Sequence, residues 1–507
     1  MATQLNGSNQ FIALGGGYAL RTPGLRGEAT LAPPESMATR AATGVPDDGF
    51  ASLDRALRSE NVTEVKLIDL SLQPGPARAD AAPLRGSQGE PQVELEIPDL
   101  GPEVGQIVVS VDDAGAVRWH LPDDRANGPG VASTRSAGAT RRFRIPATLV
   151  IQATDAPGAA PRSIFGAVAR RVLKVLVYPI TDPLIGAISE HFAERWEAKK
   201  RPHGLRSFSP GNFAAPGAHL LTPAELESMR TGGPVLMFIH GTFSTAHGGF
   251  GELPVETVRE LHRRYGGRVV ALDHPTLAST PVDNVQWLLA QLPVATMQMD
   301  IVCHSRGGLV ARVLAERLAA LGPTASRVDV RRIAFVGVPN SGTALADPDH
   351  MVDMIDRLTT VLTLSPTGPV TETLEALITA IKMLAHGALK GLGGLASMNP
   401  GGPFLRTLNM PSPPGVDYFA VASNYEPVDR GLRGLVSGAA DGVLDRVFAN
   451  AGNDLVVPTD GVTGGNGGTG FPLADANVLT FPPQAGVMHT GFFRRAEVSE
   501  RLLAWMT

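Results

Sequence analysis

The stretch Ile301-Val302-Cys303-His304-Ser305-Arg306-Gly307-Gly308-Leu309-Val310-Ala311-Arg312 decides how this chain is read. Its first part is a short apolar run of the buried-strand type, and its second part opens a helix. Ser305 falls at the junction. A serine on a sharp strand-to-helix turn, with small residues two before and two after it, forms a nucleophile elbow of the G-x-S-x-G type, here with Cys303 in the first small position. Such a turn lifts the hydroxyl off the sheet, and the helix N-terminus behind it favours developing negative charge. Cys303 lies on the strand rather than at the turn, so Ser305 is the candidate nucleophile.

Around this elbow strands and helices alternate. Strands are expected at Val235–Ile239, Arg268–Leu272, Gln298–Cys303 and Val330–Val336, and helices at Val255–Tyr265, Asn284–Leu292 and Gly307–Leu321. Short apolar runs separated by amphipathic helices imply a mostly parallel sheet covered on both faces. The pattern therefore predicts an α/β domain over residues 234–507.

A serine hydroxyl is a weak nucleophile at neutral pH and needs a base, a residue to orient that base, and donors for the oxyanion. His489, near the C-terminus before a last amphipathic helix, is the candidate base. Asp454, after the strand expected at Tyr418–Ala422, is the candidate acid, with Asp441, Asp445 and Asp460 as alternatives on the same long loop. The chain order Ser, Asp, His is one in which such triads occur. The His240-Gly241-Thr242 turn closes the first strand of the domain, so the backbone N–H groups of Thr242 and Arg306 are the candidate oxyanion donors. His240 itself reads as a structural hydrogen-bonder. Phe243 and His304 adjoin these groups and are assigned to substrate binding, although His304 also suits simple packing.

An insertion from Ala344 to about Leu408 separates two core strands and holds two apolar helical segments, Met351–Leu364 and Val370–Leu392. Leu374, Leu377, Ile378, Ile381 and Leu384 share a helical face. The expectation is a cap whose Leu377 and Ile381 wall an acyl pocket, against the alternative that the helices only pad the core.

At these residues the chain resembles an α/β-hydrolase of the bacterial lipase and carboxylesterase type. His240-Gly241-Thr242 is similar to that family's oxyanion HG turn, and Cys303–Arg312 to its GHSxGGLVAR elbow with the first Gly lost. Phe335-Val336-Gly337-Val338-Pro339-Asn340-Ser341-Gly342-Thr343 resembles the GTPHxGS/T run, with Asn340 in place of His, and Asn399–Asn409 resembles SPGSPFLxxLN. The resemblance spans about residues 234–507. It implies an α/β-hydrolase fold and serine-dependent cleavage of a carboxylic ester through an acyl-enzyme, with neither cofactor nor metal. An amidase or thioesterase with the same triad, or a degenerate hydrolase domain used for binding, are the alternatives.

Upstream the pattern changes. Residues 1–59 are read as an irregular arm rich in Gly, Ala, Pro and Thr, and residues 60–152 as a β-rich accessory domain. In the latter, Val93, Leu95 and Ile97 alternate with acids, and Asp112–Gly115 signals a hairpin turn. Residues 153–233 are read as a helical connector, with Ile164, Val168, Val172, Val175 and Leu176 on one face and a second helix reaching Lys200 after Asp182-Pro183.

Composition sets the outer limits. The 507 residues carry 57 glycines and 41 prolines, about a fifth of the chain, which is below the level of disordered compositions. A net charge of −5, with scattered arginines, leaves no footprint for nucleic acid. One cysteine excludes an intrachain disulfide and a cysteine zinc cluster. Neither a signal peptide nor an apolar span long enough for a membrane is legible, so a cytoplasmic protein acting on a small or lipid-like ester is expected.

Overall fold

The structure is a computed structural model, and it describes residues 2–35, 47–74, 92–112, 115–123, 139–146, 169–180, 185–364, 370–410, 415–425, 452–464 and 473–506. Asp113 and Ala114 of the expected hairpin turn, Ile164 and Val168 of the expected helical face, Asp182-Pro183, Asp441 and Asp445 lie outside the described residues.

Among the described residues the first half of the chain contributes ten strands: β1 (Ala2–Asn6), β2 (Ile12–Gly15), β3 (Tyr18–Arg21), β4 (Leu25–Ala32), β5 (Thr63–Pro74), β6 (Gln92–Pro98), β7 (Val104–Asp112), β8 (Val117–His120), β9 (Thr140–Pro146) and β10 (Ala169–Pro179). They form two sheets, ordered β1-β4-β5-β10-β7-β8 and β2-β3-β6-β9. Every pairing in them is antiparallel. Leu70, Leu95, Val108, Phe143 and Leu173 share one buried core between the two sheets. This is a sandwich in which inward side chains of both sheets make one apolar layer.

Two expectations are corrected here. The N-terminal arm is not irregular: residues 2–32 supply four strands, and α1 (Asp47–Ser59) follows. Segment 169–179 is a strand, not a helix. Leu173 and Val175 face the sandwich core, while Leu176 and Tyr178 belong to the main core on the opposite side. A strand buried on both faces loses its polar alternation, and the remaining apolar spacing imitates a helical stripe. The expected second helix is present as α2 (Ile185–Lys200).

Among the described residues the second half is built on seven strands: β11 (Gly204–Ser207), β12 (Val235–Ile239), β13 (Val269–Asp273), β14 (Met297–His304), β15 (Val328–Val336), β16 (Asp417–Ser423) and β17 (Val478–Phe481). Their order is β11-β13-β12-β14-β15-β16-β17. Only β11 runs antiparallel to its neighbour. Helices α3 (Pro223–Gly232), α4 (Ala246–Phe250), α5 (Val255–Arg264), α6 (Pro281–Gln291) and α7 (Gly307–Glu316) connect the first strands. Both α3 and α6 start with a threonine cap, a reciprocal acid at the third position and a proline at the first, which satisfies the otherwise orphan amides.

The insertion between β15 and β16 carries α8 (Met351–Leu364) and α9 (Val370–Ala385). These helices lie between the two halves of the molecule. Ile107, Val109, Val117 and Trp119, on the outer face of the six-stranded sheet, share one continuous apolar core with Leu374, Leu377 and Ile381 and with the parallel sheet. Among the described residues no helix is long and apolar enough to cross a membrane.

Candidate active site

Strand β14 ends at His304, and Ser305 turns the chain into α7 with φ of 52°. A non-glycine residue in this left-handed region is strained, and the surroundings must hold it there. The Ser305 N–H donates to the Val336 carbonyl at 3.0 Å. The glycines behind it permit close approach: a Cβ at Gly307 would lie 2.4 Å from the Ile239 carbonyl oxygen, and one at Gly308 2.3 Å from Val338 Cγ1. Cys303 is fully buried, and its Sγ–H donates to the Ala334 carbonyl at 3.4 Å, so the residue replacing the first motif glycine is absorbed by the core.

Asp454 and His489 meet. His489 Nδ1 donates to Asp454 Oδ2 at 2.8 Å, and the His489 N–H donates to the Asp454 carbonyl at 2.9 Å. A carboxylate can only accept when ionised, so the bond assigns the ring proton to Nδ1 and leaves Nε2 as the basic nitrogen. The acid is fixed in turn, because its Oδ1 accepts the N–H groups of Val456 (3.0 Å) and Val457 (2.7 Å). Asp460 lies in the first turn of a separate short helix, Thr459–Thr463. The motif run after β15 supports this loop: Thr343 Oγ1 donates to the Val456 carbonyl at 2.6 Å, and Asn340 Nδ2 to the Val462 carbonyl at 2.7 Å. Asn340 thus has a hydrogen-bonding task of its own.

Ser305, His489, Thr242, Phe243 and His304 line one cavity of about 80 Å³. Phe243 holds φ of 62°, the second strained non-glycine residue at the cavity. Gly241 is required by contact, since a Cβ there would lie 2.6 Å from Ser305 Cβ. His304 Nε2 donates to the His489 carbonyl at 3.0 Å, and burial pushes its pKa down to about 3. His240 holds the turn as a neutral ring: Nδ1 donates to the Gly241 carbonyl, Nε2 accepts the His274 N–H, and burial lowers its pKa to about 4.

The roof differs from expectation. Leu377 and Ile381 are absent from the cavity lining and fully buried. Helix α9 is covered by α1 and by the outer face of the six-stranded sheet, so its apolar stripe answers to those layers. It is tied there by Thr379 Oγ1 donating to Glu60 Oε2 (3.2 Å) and Lys382 Nζ donating to the Glu60 carbonyl (2.5 Å). The cavity wall comes instead from Met354, Leu358 and Leu362 of α8, with Thr373, Met398 and Val456. The 4, 4 spacing of the α8 residues was a legible signal, since it marks one helical face. Among the described residues no group of three His, Cys, Asp or Glu could hold a metal ion.

The mostly parallel sheet with helices between its strands makes this an α/β-hydrolase fold preceded by a β-rich region. Residues 200–507 match the family model described as "Domain of unknown function (DUF7379)", and the chain belongs to that family. A search of the curated proteins finds no match. Among solved structures, the chain is similar to lipase 1 from Pelosinus fermentans, at 14% identity over 54% of this chain and 96% of that one, with a TM-score of 0.33. It is similar to the phospholipase PlaB from Legionella pneumophila at 16% identity over 45% and 44%, with a TM-score of 0.29. A metagenomic carboxyl esterase, MGS0156, aligns at 17% identity over 57% and 80%, with a TM-score of 0.28.

Proposed function

We propose that this protein is a serine hydrolase that cleaves carboxylic esters through an acyl-enzyme. The observation that carries the reading is the Asp454–His489 hydrogen bond opening into the same cavity as an elbow serine. Ser305 Oγ attacks the ester carbonyl carbon while His489 Nε2 takes its proton, and Asp454 stabilises the resulting imidazolium. The carbonyl oxygen becomes an oxyanion held by the Thr242 and Arg306 N–H groups. Collapse expels the alkoxide, which takes the proton from His489. Water, deprotonated by the same nitrogen, then frees the acid and restores Ser305.

The apolar wall of Met354, Leu358 and Leu362 favours an uncharged acyl group. At about 80 Å³ the cavity is smaller than the roughly 300–1,000 Å³ of drug-sized ligand sites, which favours a short acyl group. Fluorophosphonate labelling, with p-nitrophenyl esters from acetate to palmitate, tests the reading. Ser305→Ala should abolish labelling and lower turnover by several orders of magnitude while the protein stays folded. Near-normal turnover in that variant would sink the assignment.

A further inference from the structure

Glu197 lies on α2, outside the segment that matches the family model, and is 1% exposed. Its carboxylate accepts three consecutive backbone N–H groups, those of Thr276, Leu277 (2.7 Å) and Ala278 (2.9 Å). That loop reaches the residue after one candidate oxyanion donor and the side chain of the residue that carries the other. On one side Thr276 Oγ1 accepts the N–H of Phe243 at 3.2 Å, and Phe243 is the strained residue directly after Thr242. On the other side the fully buried Arg306 guanidinium donates to the Ser279 carbonyl and, at 2.8 Å, to the Gly394 carbonyl. Arg306 is the residue whose own N–H would be the second donor. The Gly394 N–H closes the ring by donating to the Leu277 carbonyl at 2.8 Å.

We propose that Glu197 is a positioning residue for the oxyanion hole, acting through the 276–279 loop on the peptide units of Thr242 and Arg306; this rests on the reading of Ser305 as the nucleophile. The physical argument is one of rigidity. Oxyanion donors act because they need not reorganise as charge develops, and shifts of the order of 1 Å in a catalytic group cost about 100-fold. Two backbone segments far apart in sequence therefore need a common brace. A buried carboxylate saturated by three amides, with the Arg306 guanidinium nearby, supplies it. Burial disfavours charge on both groups, raising the Glu197 carboxyl and lowering Arg306 to about 10, and their attraction opposes this.

Two variants test the inference. Glu197→Gln keeps the shape and one acceptor oxygen but loses the charge and the bond to Ala278. Thr276→Val cuts only the link to Phe243. Both are measured with p-nitrophenyl butyrate and with butane-1-boronic acid, which forms a tetrahedral adduct on a catalytic serine. The expected result is a fall in kcat of roughly 10- to 100-fold with KM nearly unchanged, and a matching loss of boronate affinity. Variants that turn over at the wild-type rate, or lose kcat while binding boronate as before, would overturn the proposal. If fluorophosphonate fails to label Ser305 in the wild-type protein, the hydrolase reading falls and this one with it. If it labels Ser305 and both variants behave as wild type, only the role of Glu197 falls.

Discussion

Thr360, on the cap helix α8, completes the backbone hydrogen bonding of Val117 on strand β8. Its Oγ1 accepts the Val117 N–H at 2.9 Å and lies 3.1 Å from the Val117 carbonyl oxygen. Next to it, Asp356 accepts the Trp119 N–H at 2.7 Å, and Thr359 accepts the Trp119 indole N–H at 3.1 Å. Strand β8 ends its sheet, and a helix laid along its free polar groups is one way a fold protects such an edge. The same helix turns Met354, Leu358 and Leu362 toward the cavity. The N-terminal sandwich therefore holds the roof of the candidate active site.

Thr360→Val leaves the Val117 N–H buried and unpaired, so it should cost about 1–3 kcal/mol of stability. A lower urea midpoint for the variant checks this. The loosened roof should also raise turnover of longer esters relative to acetate, and an unchanged selectivity profile would separate the clamp from the roof.

Leu358→Asp places a charge on the cavity wall. Each methylene that fits an apolar pocket adds about 0.8 kcal/mol of binding, so the variant should lose p-nitrophenyl octanoate activity far more than acetate activity. Leu377→Asp should behave differently. Its side chain is fully buried against the N-terminal layer, so soluble expression and melting temperature should fall, and activity should drop alike for all substrates.

Asp454→Asn keeps the loop's shape but removes the anion that fixes the His489 ring. A loss in kcat of about 10⁴, with KM little changed, is expected from the equivalent change in a triad. Crystallography or histidine NMR of the variant would check that the ring stays in place.

Mild acid should destabilise this fold through its buried histidines. His304 and His120 are held to about 3 and His240 to about 4, all from an ordinary value of 6.5, mainly by burial. Between those values the unfolded chain binds protons that the folded chain refuses, so stability is lost as pH falls below about 6.5. Melting temperatures from pH 7.5 to 5 should fall, and His304→Gln, whose amide can still donate to the His489 carbonyl, should flatten the slope.

What the sequence by itself determined is everything written in neighbouring residues. The apolar runs at Val235–Ile239 and, within the strand expected at Gln298–Cys303, Ile301–Cys303 carry their strand identity locally, because both faces are buried whatever covers them. The strand-to-helix turn at Ser305 was legible because its strand and the glycines that follow it are contiguous, and Asp454 and His489 were legible as candidates because chain order restricts where such partners can fall. What only the tertiary structure decided is which layer each apolar surface meets. Leu377 and Ile381 have the same residue types and spacing whether they wall a pocket or a domain contact. Segment 169–179 looks helical until a sheet is placed on one of its faces and helix α9 on the other. The bonds from Glu197 to residues 276–278 and from Thr360 to Val117 cross 79–81 and 243 residues of chain, and no local period encodes them. Those contacts arise when packed layers bring distant backbone amides, stripped of water, against the side chains that can satisfy them.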